Sequence, residues 1–188
     1  MDSENLSSPI SPGYITQSLK KNIEEDAIIC LDVGDPTFWF YRNFICSRQK
    51  IFLSANMASM GFALPAALSA KLDFPEKQVI CITGDGGLGM LVSDFTTEVR
   101  GGLNIKVVVF DDGKLKNVGR GQTASGYPEF GTKFPNPDFA TFARICGGLG
   151  VRVDDSERFD AALKGAFESA EAAIVDILVD PSGVKPVI

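Results

Sequence analysis

Three short stretches concentrate residue types suited to charged ligands: Asp32-Val33-Gly34-Asp35-Pro36-Thr37, Gly84-Asp85-Gly86-Gly87-Leu88-Gly89 and Asp111-Asp112-Gly113. The second matches G-x-G-x-x-G, in which glycines without a Cβ let a pyrophosphate approach the amides of a helix N-terminus. On that pattern a dinucleotide is one candidate ligand, with Asp111 or Asp112 on the ribose. Two features weigh against it. The motif falls mid-chain, after a complete earlier βαβ stretch, and Asp85 puts a carboxylate where the pyrophosphate would lie. A cation changes the balance, because Mg²⁺ between Asp85 and a diphosphate turns repulsion into attraction. Mg²⁺ prefers octahedral oxygen donors, and Asp112 is the obvious second source. Between Gly86 and Asp111 lie 24 residues (Gly87 to Phe110), room for one helix, a turn and one strand. One such αβ unit returns the chain to the same sheet edge, within reach of a single ion. The plainer readings stand beside these. Asp111-Asp112-Gly113 suits a turn, Asp32 a strand end, and Met57 and Met60 a core that needs flexible fillers.

The elements that must position these residues alternate along the chain. Continuous apolar runs closed by Gly, Asp or Pro read as strands buried on both faces: Ala27 to Val33, Gln78 to Thr83, Ile105 to Phe110 and Ala173 to Val179. Gly150 to Val153 is a weaker strand, and helical patterns cover Met60 to Leu72, Leu88 to Arg100, Asp138 to Cys146 and Glu157 to Ser169. This alternation predicts an α/β fold, a doubly wound and mostly parallel sheet with helices on both faces. Ligands of such sheets bind at the carboxyl ends of the strands, where the three stretches fall. Residues 1–11 read as a flexible lead-in and 12–188 as one domain, with a polar, Gly-rich loop from Gly113 to Asn136. Phe38-Trp39-Phe40-Tyr41 reads as core or as a subunit contact.

Composition narrows the chemistry. Eighteen basic against 24 acidic residues, a formal −6, argues against binding nucleic acid or an anionic membrane surface. The absence of histidine excludes the Ser-His-Asp triad, His-bearing zinc sites and imidazole acid–base chemistry. Cys30, Cys46, Cys81 and Cys146 are widely spaced and read as buried thiols of a reducing compartment. The start of the chain lacks the pattern of a secretory signal, and its longest apolar run, Met60 to Ala70, is 11 residues, too short to span a bilayer. The expectation is a cytoplasmic protein without a transmembrane segment.

Gly84-Asp85-Gly86, the spacing and the closing pair resemble the diphosphate-binding signature of thiamine-diphosphate enzymes, Gly-Asp-Gly followed some two dozen residues later by Asn-Asn. The resemblance extends to Asn56-Met57-Ala58-Ser59-Met60-Gly61-Phe62-Ala63-Leu64-Pro65-Ala66-Ala67, similar to the segment preceding the signature in the pyruvate oxidase and acetolactate synthase branch. Asp32 to Thr37 looks closest to pyruvate oxidases, and Asn136-Pro137-Asp138-Phe139-Ala140 with Val175-Asp176 fits the end of the same domain. It covers about Pro9 to Pro181.

The resemblance implies the C-terminal, thiamine-diphosphate-binding domain of a pyruvate-decarboxylating oxidoreductase. It implies Mg²⁺ on Asp85, Asp112 and the Lys114 carbonyl. Diphosphate would meet Gly84, Gly86 and Gly87 on one side and Gly34, Asp35 and Thr37 on the other. Met60 would wedge beneath the thiazolium ring, Ala58, Ser59 and Met60 would face the aminopyrimidine, and Leu115 would form an apolar wall. No catalytic residue is expected on this chain, since the family carries its activating glutamate on a pyrimidine-binding domain. FAD is expected only on a middle domain that this sequence does not contain. The implied partners are a pyrimidine-binding domain or subunit, pyruvate as substrate, and a homo- or hetero-oligomer in which Phe38 to Tyr41 could make contact. Alternatives are an acetolactate synthase-type carboligase or a non-catalytic assembly module. The sequence departs from the family in having Asp111-Asp112 for Asn-Asn, and Lys116 and Asn117 where relatives tend to have glycine and an aromatic residue.

Overall fold

The computed structural model describes residues 9–179. Six strands, β1 (Ile28–Leu31), β2 (Lys50–Leu53), β3 (Val79–Gly84), β4 (Ile105–Asp111), β5 (Leu149–Val153) and β6 (Ala173–Leu178), form one sheet. Every pairing is parallel, in the order β2-β1-β3-β4-β6-β5. The helices are α1 (Pro12–Asn22), α2 (Asp35–Asn43), α3 (Ala63–Asp73), α4 (Asp85–Leu91), α5 (Phe95–Arg100), α6 (Lys116–Ala124), α7 (Phe139–Ile145) and α8 (Ser156–Glu168).

Side-chain alternation along the strands divides the core into two layers. Ile29, Leu31, Ile80, Ile82, Val108 and Phe110 face α1, α2 and α8, packing with Ile15, Leu19, Phe40, Phe44 and Phe159. Their neighbours Ile28, Cys30, Val79, Cys81, Val107 and Val109 face α3, α4, α5 and α7, packing with Ala63, Ala67, Leu88, Phe95 and Phe139. Burial of each large apolar side chain contributes about 1.5–3 kcal/mol, so the doubly covered strands tolerate almost no polar residue along their length. The doubly wound α/β fold expected from the alternation is the fold observed.

Winding direction sets where a ligand can enter. From β1 the chain runs outward to the edge strand β2, then returns to place β3 on the other side of β1. The connections leaving β1 and β3 therefore diverge, α2 to one face and α4 to the other, and open a crevice above the strand ends.

Several elements differ from the sequence expectation. Leu88 to Arg100 is not one helix; a 3-10 turn at Val92–Asp94 separates α4 from α5. Helix α3 begins at Ala63, so Met60 lies in the turn before it. Strand β2 was not expected, because an edge strand with alternating exposure lacks a continuous apolar run. Helix α6 sits inside the supposed Gly113 to Asn136 loop. Its Gly119 and Gly121 lower helix propensity by about 1 kcal/mol each, and tertiary ties hold it: Arg120 bonds Asp35, and Gln122 exchanges hydrogen bonds with the Phe130 backbone at 3.0 Å each. Residues 1–8 of the expected lead-in lie outside the described residues; Ile10 is fully buried and bridges Val179 in parallel.

Two thiols correct the reading of buried cysteines. Cys30 and Cys81 are buried in strands, whereas Cys46, in the α2–β2 connection, is exposed and Cys146 is half-buried; all four are free. Burial pushes the Cys30 thiol up to about 12 and Cys81 well above its usual value. The aromatic run divides along α2: Trp39 and Phe40 are buried, Phe38 and Tyr41 exposed. No described helix is long and apolar enough to cross a membrane.

Candidate functional site

The crevice over β1, β3 and β4 is an open cleft whose cavity volume is about 180 Å³. It gathers Gly34, Asp35, Ala58, Met60, Gly84, Asp85, Gly86, Gly87, Asp112, Lys114 and Leu115, eleven of the residues singled out from sequence. Thr37 and Ser59 do not line it. The Thr37 hydroxyl turns inward to donate to the Asp32 carbonyl, and Ser59 is exposed, its amide donating to Ser54 Oγ at 3.2 Å. Those two residues are committed to, or directed at, their own turns and not the cleft.

Asp85 opens α4 where β3 ends. Its Oδ1 accepts from the Gly86 amide at 2.7 Å; its Oδ2 accepts from the Gly113 amide at 2.7 Å and from Asn136 Nδ2 at 2.6 Å. A carboxylate has about four lone-pair directions, so Asp85 is fixed in orientation yet retains capacity for a cation. Asn136 also donates to Asp111 Oδ1 at 2.6 Å, joining the two acids through one amide.

The Asp111-Asp112 pair divides in role. Asp111 turns away from the cleft toward Asn136 and Arg152, the latter at 3.5 Å. Arg152 also bonds the fully buried Asp176. Burial raises the Asp111 carboxyl and carries Asp176 up to about 7; Asp111 and Asp138 add to the latter rise while Arg152 opposes it. Asp112 faces the cleft. Lys116 Nζ lies 2.6 Å from Asp112 Oδ2 and 3.6 Å from Asp35, while Asp112 Oδ1 is buried without a hydrogen-bond partner. Burial pushes the Asp112 carboxyl up to about 6, with Lys116 opposing and Asp85 and Asp35 reinforcing. Asp35 is held by Lys116, by Arg120 and by the Trp39 indole N–H at 3.1 Å.

Close packing makes the glycines necessary. A Cβ on Gly86 would stand 2.9 Å from Leu115 Cδ2 and 3.3 Å from Met60 Cε, and one on Gly87 would collide with Asp32 Oδ2. The cleft floor is therefore bare backbone between two apolar side chains. Above it Ala58 has φ +47°, the only positive φ of a non-glycine residue among the described residues. Such backbone strain concentrates at functional turns.

Asp32 and Asn136 stand out in the sequence, but their role as positioning residues is visible only in the fold. Asp32 is 2% exposed and accepts from the Val33 amide at 2.8 Å, the Gly61 amide at 3.1 Å and Thr83 Oγ1 at 2.7 Å. It ties β1 and β3 to the turn carrying Met60. Burial raises its carboxyl, opposed by those donors. A polar side chain ending an otherwise apolar strand was the available signal for Asp32. Asn136 was marked only by the resemblance of the segment from Asn136 to Ala140, which says nothing of its bonds to Asp85 and Asp111.

The residues fit a diphosphate-bound divalent cation. No group of three or more His, Cys, Asp or Glu among the described residues could hold a metal by itself. Mg²⁺ on a diphosphate needs fewer, usually one or two carboxylates with phosphate oxygens and waters. Asp85 and the unpartnered Oδ1 of Asp112 supply that number. The Lys114 carbonyl accepts from the Lys116 amide at 3.0 Å and keeps a second lone pair.

Comparison with known proteins adds an independent line. Residues 32–177 match the family described as the C-terminal TPP binding domain of thiamine pyrophosphate enzymes. YdaP of Bacillus subtilis (strain 168), whose name describes it as thiamine pyrophosphate-containing, is 33% identical over 179 residues, covering 95% of this chain and 31% of its own length. The acetolactate synthase large subunit of Corynebacterium glutamicum is 31% identical over 178 residues, covering 90% of this chain and 28% of its own length. In fold, the chain is similar to the thiamine diphosphate-dependent 4-hydroxybenzoylformate decarboxylase of Rhodococcus jostii RHA1. The TM-score is 0.87 at 20% identity, covering 96% of this chain and 34% of that one. The chain spans about a third of the length of each of these relatives.

Proposed function

Since the chain belongs to the C-terminal TPP-binding domain family of thiamine pyrophosphate enzymes, we propose that it supplies the diphosphate half-site of a pyruvate-decarboxylating enzyme. The carrying observation is the pairing of a fixed Asp85 with an unpartnered Asp112 oxygen over a glycine floor. In this reading Asp85, Asp112 and the Lys114 carbonyl hold Mg²⁺, and the start of α4 at Gly86 and Gly87 receives the diphosphate. Gly34 and Asp35 line the opposite side, with Thr37 bracing that loop. Met60 and Leu115 support the thiazolium ring, and the strained turn at Ala58 faces the pyrimidine. When bound, thiamine diphosphate supplies the carbon nucleophile and electron sink that decarboxylation of a 2-oxo acid requires.

In this reading the described residues lining the cleft bind and orient, and none of them is assigned the acid on the far side of the cofactor. That role falls to a pyrimidine-binding domain or subunit, which also excludes water from the open cleft. The Asp32 to Thr37 sequence supports an oxidase-type enzyme. The acetolactate synthase names among the relatives support a carboligase, which joins the decarboxylated fragment to a second 2-oxo acid. Calorimetric titration with thiamine diphosphate, with and without Mg²⁺, tests the binding half. Metal-dependent binding is expected, and no heat under either condition overturns it. Assays of CO₂ release and of acetate against acetolactate, with and without a pyrimidine domain, test the rest. The chain alone should be inactive.

A further inference from the structure

The buried ammonium in the cleft goes beyond the binding reading on which it rests. The side chain of Lys116 is 6% exposed, lines the cleft, and stands between Asp112 at 2.6 Å and Asp35 at 3.6 Å, side chains that are 8% and 11% exposed. We propose that Lys116 is a resident counter-cation of the diphosphate site, carrying part of the positive charge that would otherwise fall to the divalent ion alone.

Charge balance in the cleft gives the reason. Its lining holds three carboxylates, Asp35, Asp85 and Asp112, and two ammonium groups, Lys114 and Lys116, a formal net of −1. Lys114 is partly committed elsewhere, to Glu129 at 2.8 Å. A bound Mg²⁺ brings the lining to +1, attractive to a diphosphate. Without Lys116 the same lining with Mg²⁺ is neutral, and a polyanion gains nothing in net charge. Changing Asp112 to asparagine would restore +1 without Lys116. Carboxylate and lysine thus form one exchangeable unit, four residues apart on the chain, so two of the residues that depart from the family pattern, Asp112 and Lys116, compensate each other. Geometry agrees: Lys116 occupies Oδ2 of Asp112 and leaves Oδ1 open, so the same carboxylate can meet the lysine and a metal together. Arg120, on the outer side of Asp35, holds that acid in place.

The test is calorimetry on the full 188-residue chain with inorganic diphosphate and with thiamine diphosphate, at fixed Mg²⁺ and in chelator. K116M should lower affinity for both ligands about 30-fold or more at fixed Mg²⁺, the scale of losing one partner of a buried charge pair. K116R should retain most of it. The double variant D112N/K116M should return to within about threefold of wild type, a non-additivity expected only of coupled residues. In chelator the lining is −1 in the wild type and −2 in K116M, so neither should bind inorganic diphosphate. The Lys116 effect is read at fixed Mg²⁺, where rescue by K116R with unchanged thermal melting separates a charge role from a merely structural ion pair. Circular dichroism and thermal melting confirm that each variant folds. Wild-type affinity in K116M, or a double variant as weak as K116M, overturns the proposal while leaving the cofactor reading intact. Binding of inorganic diphosphate with the expected Lys116 dependence, but no binding of thiamine diphosphate, overturns the cofactor reading and keeps the proposal. Binding of neither ligand by the wild type overturns both.

Discussion

Strand β4 carries buried charge at both ends and treats it in opposite ways. Around its carboxyl end Asp85, Asp111, Asp112 and Asp35 are engaged by Asn136, by Arg152 of β5 and by Lys116 and Arg120 of α6. Near its amino end the Lys106 ammonium donates to the Ser169 and Glu171 carbonyls at 2.8 and 2.6 Å, whereas Glu98 is fully buried with neither carboxyl oxygen partnered. Burial pushes the Glu98 carboxyl up to about 9, opposed only in part by the Ile105 amide and Lys106, and drops Lys106 to about 8. Burial alone therefore does not make a site. Carboxylates met by several fixed donors remain available as ligands, while a buried carboxyl with little to oppose its desolvation is driven toward its protonated form.

The sharpest way to break this contrast is at Asp85. Asp85→Ala should abolish Mg²⁺-dependent binding of thiamine diphosphate, a loss beyond about 100-fold. It removes a metal donor and takes the acceptor from the Gly86 and Gly113 amides, while Asn136 keeps only its bond to Asp111. Each half-buried donor left unpaired costs about 1 kcal/mol or more. Undiminished affinity by calorimetry would remove Asp85 from the metal site. Asn136→Ala comes next. It leaves Asp85 and Asp111 without their shared donor and should weaken Mg²⁺-dependent binding about 10–100-fold, the range for residues that orient metal ligands. An unchanged metal titration would reduce Asn136 to a structural amide.

At the other end of β4, Glu98→Gln should stabilise the fold. A carboxyl whose folded pKa lies above its unfolded one binds more protons in the native state, so its contribution falls as pH rises from about 4.5 toward 9. Each pH step of one within that window costs the native state up to about 1.4 kcal/mol, and burying an amide in place of the acid offsets part of the relief. The gain should be about 1–3 kcal/mol at pH 8 and close to zero at pH 5. Denaturant melts of both proteins at the two pH values check it. Equal pH dependence in both would mean that Glu98 is ionised in the native state. The smallest effect belongs to Asp112→Asn. It removes one negative charge beside the diphosphate and keeps an oxygen donor, so affinity should be equal or a few-fold tighter. A large loss would make Asp112 a required anionic ligand.

Legibility from sequence follows the range over which each feature is determined. Continuous apolar runs made β1, β3, β4 and β6 readable, because a strand covered on both faces admits no other composition. The edge strand β2, half-exposed, left no such mark, and α6, with its two internal glycines, reads as a loop by propensity. Both exist because distant segments pair with them: Lys50–Leu53 with β1, and Arg120 with Asp35 across 85 residues.

The same division runs through the site. Spacing and strand polarity are properties of the chain, so the arrival of Asp32, Asp85 and Asp112 at one sheet edge was legible before any contact was known. So was the glycine floor, because a diphosphate needs bare backbone wherever it meets a helix start. Folding had to settle the rest: Asp111 turns to Arg152 while Asp112 faces the cleft, Thr37 and Ser59 stay outside it, and Lys116 stands between Asp112 and Asp35. Residue type and spacing specify which groups can arrive at an edge. Which oxygen each group presents depends largely on hydrogen bonds to residues tens of positions away, and those pairings exist only once the chain has folded.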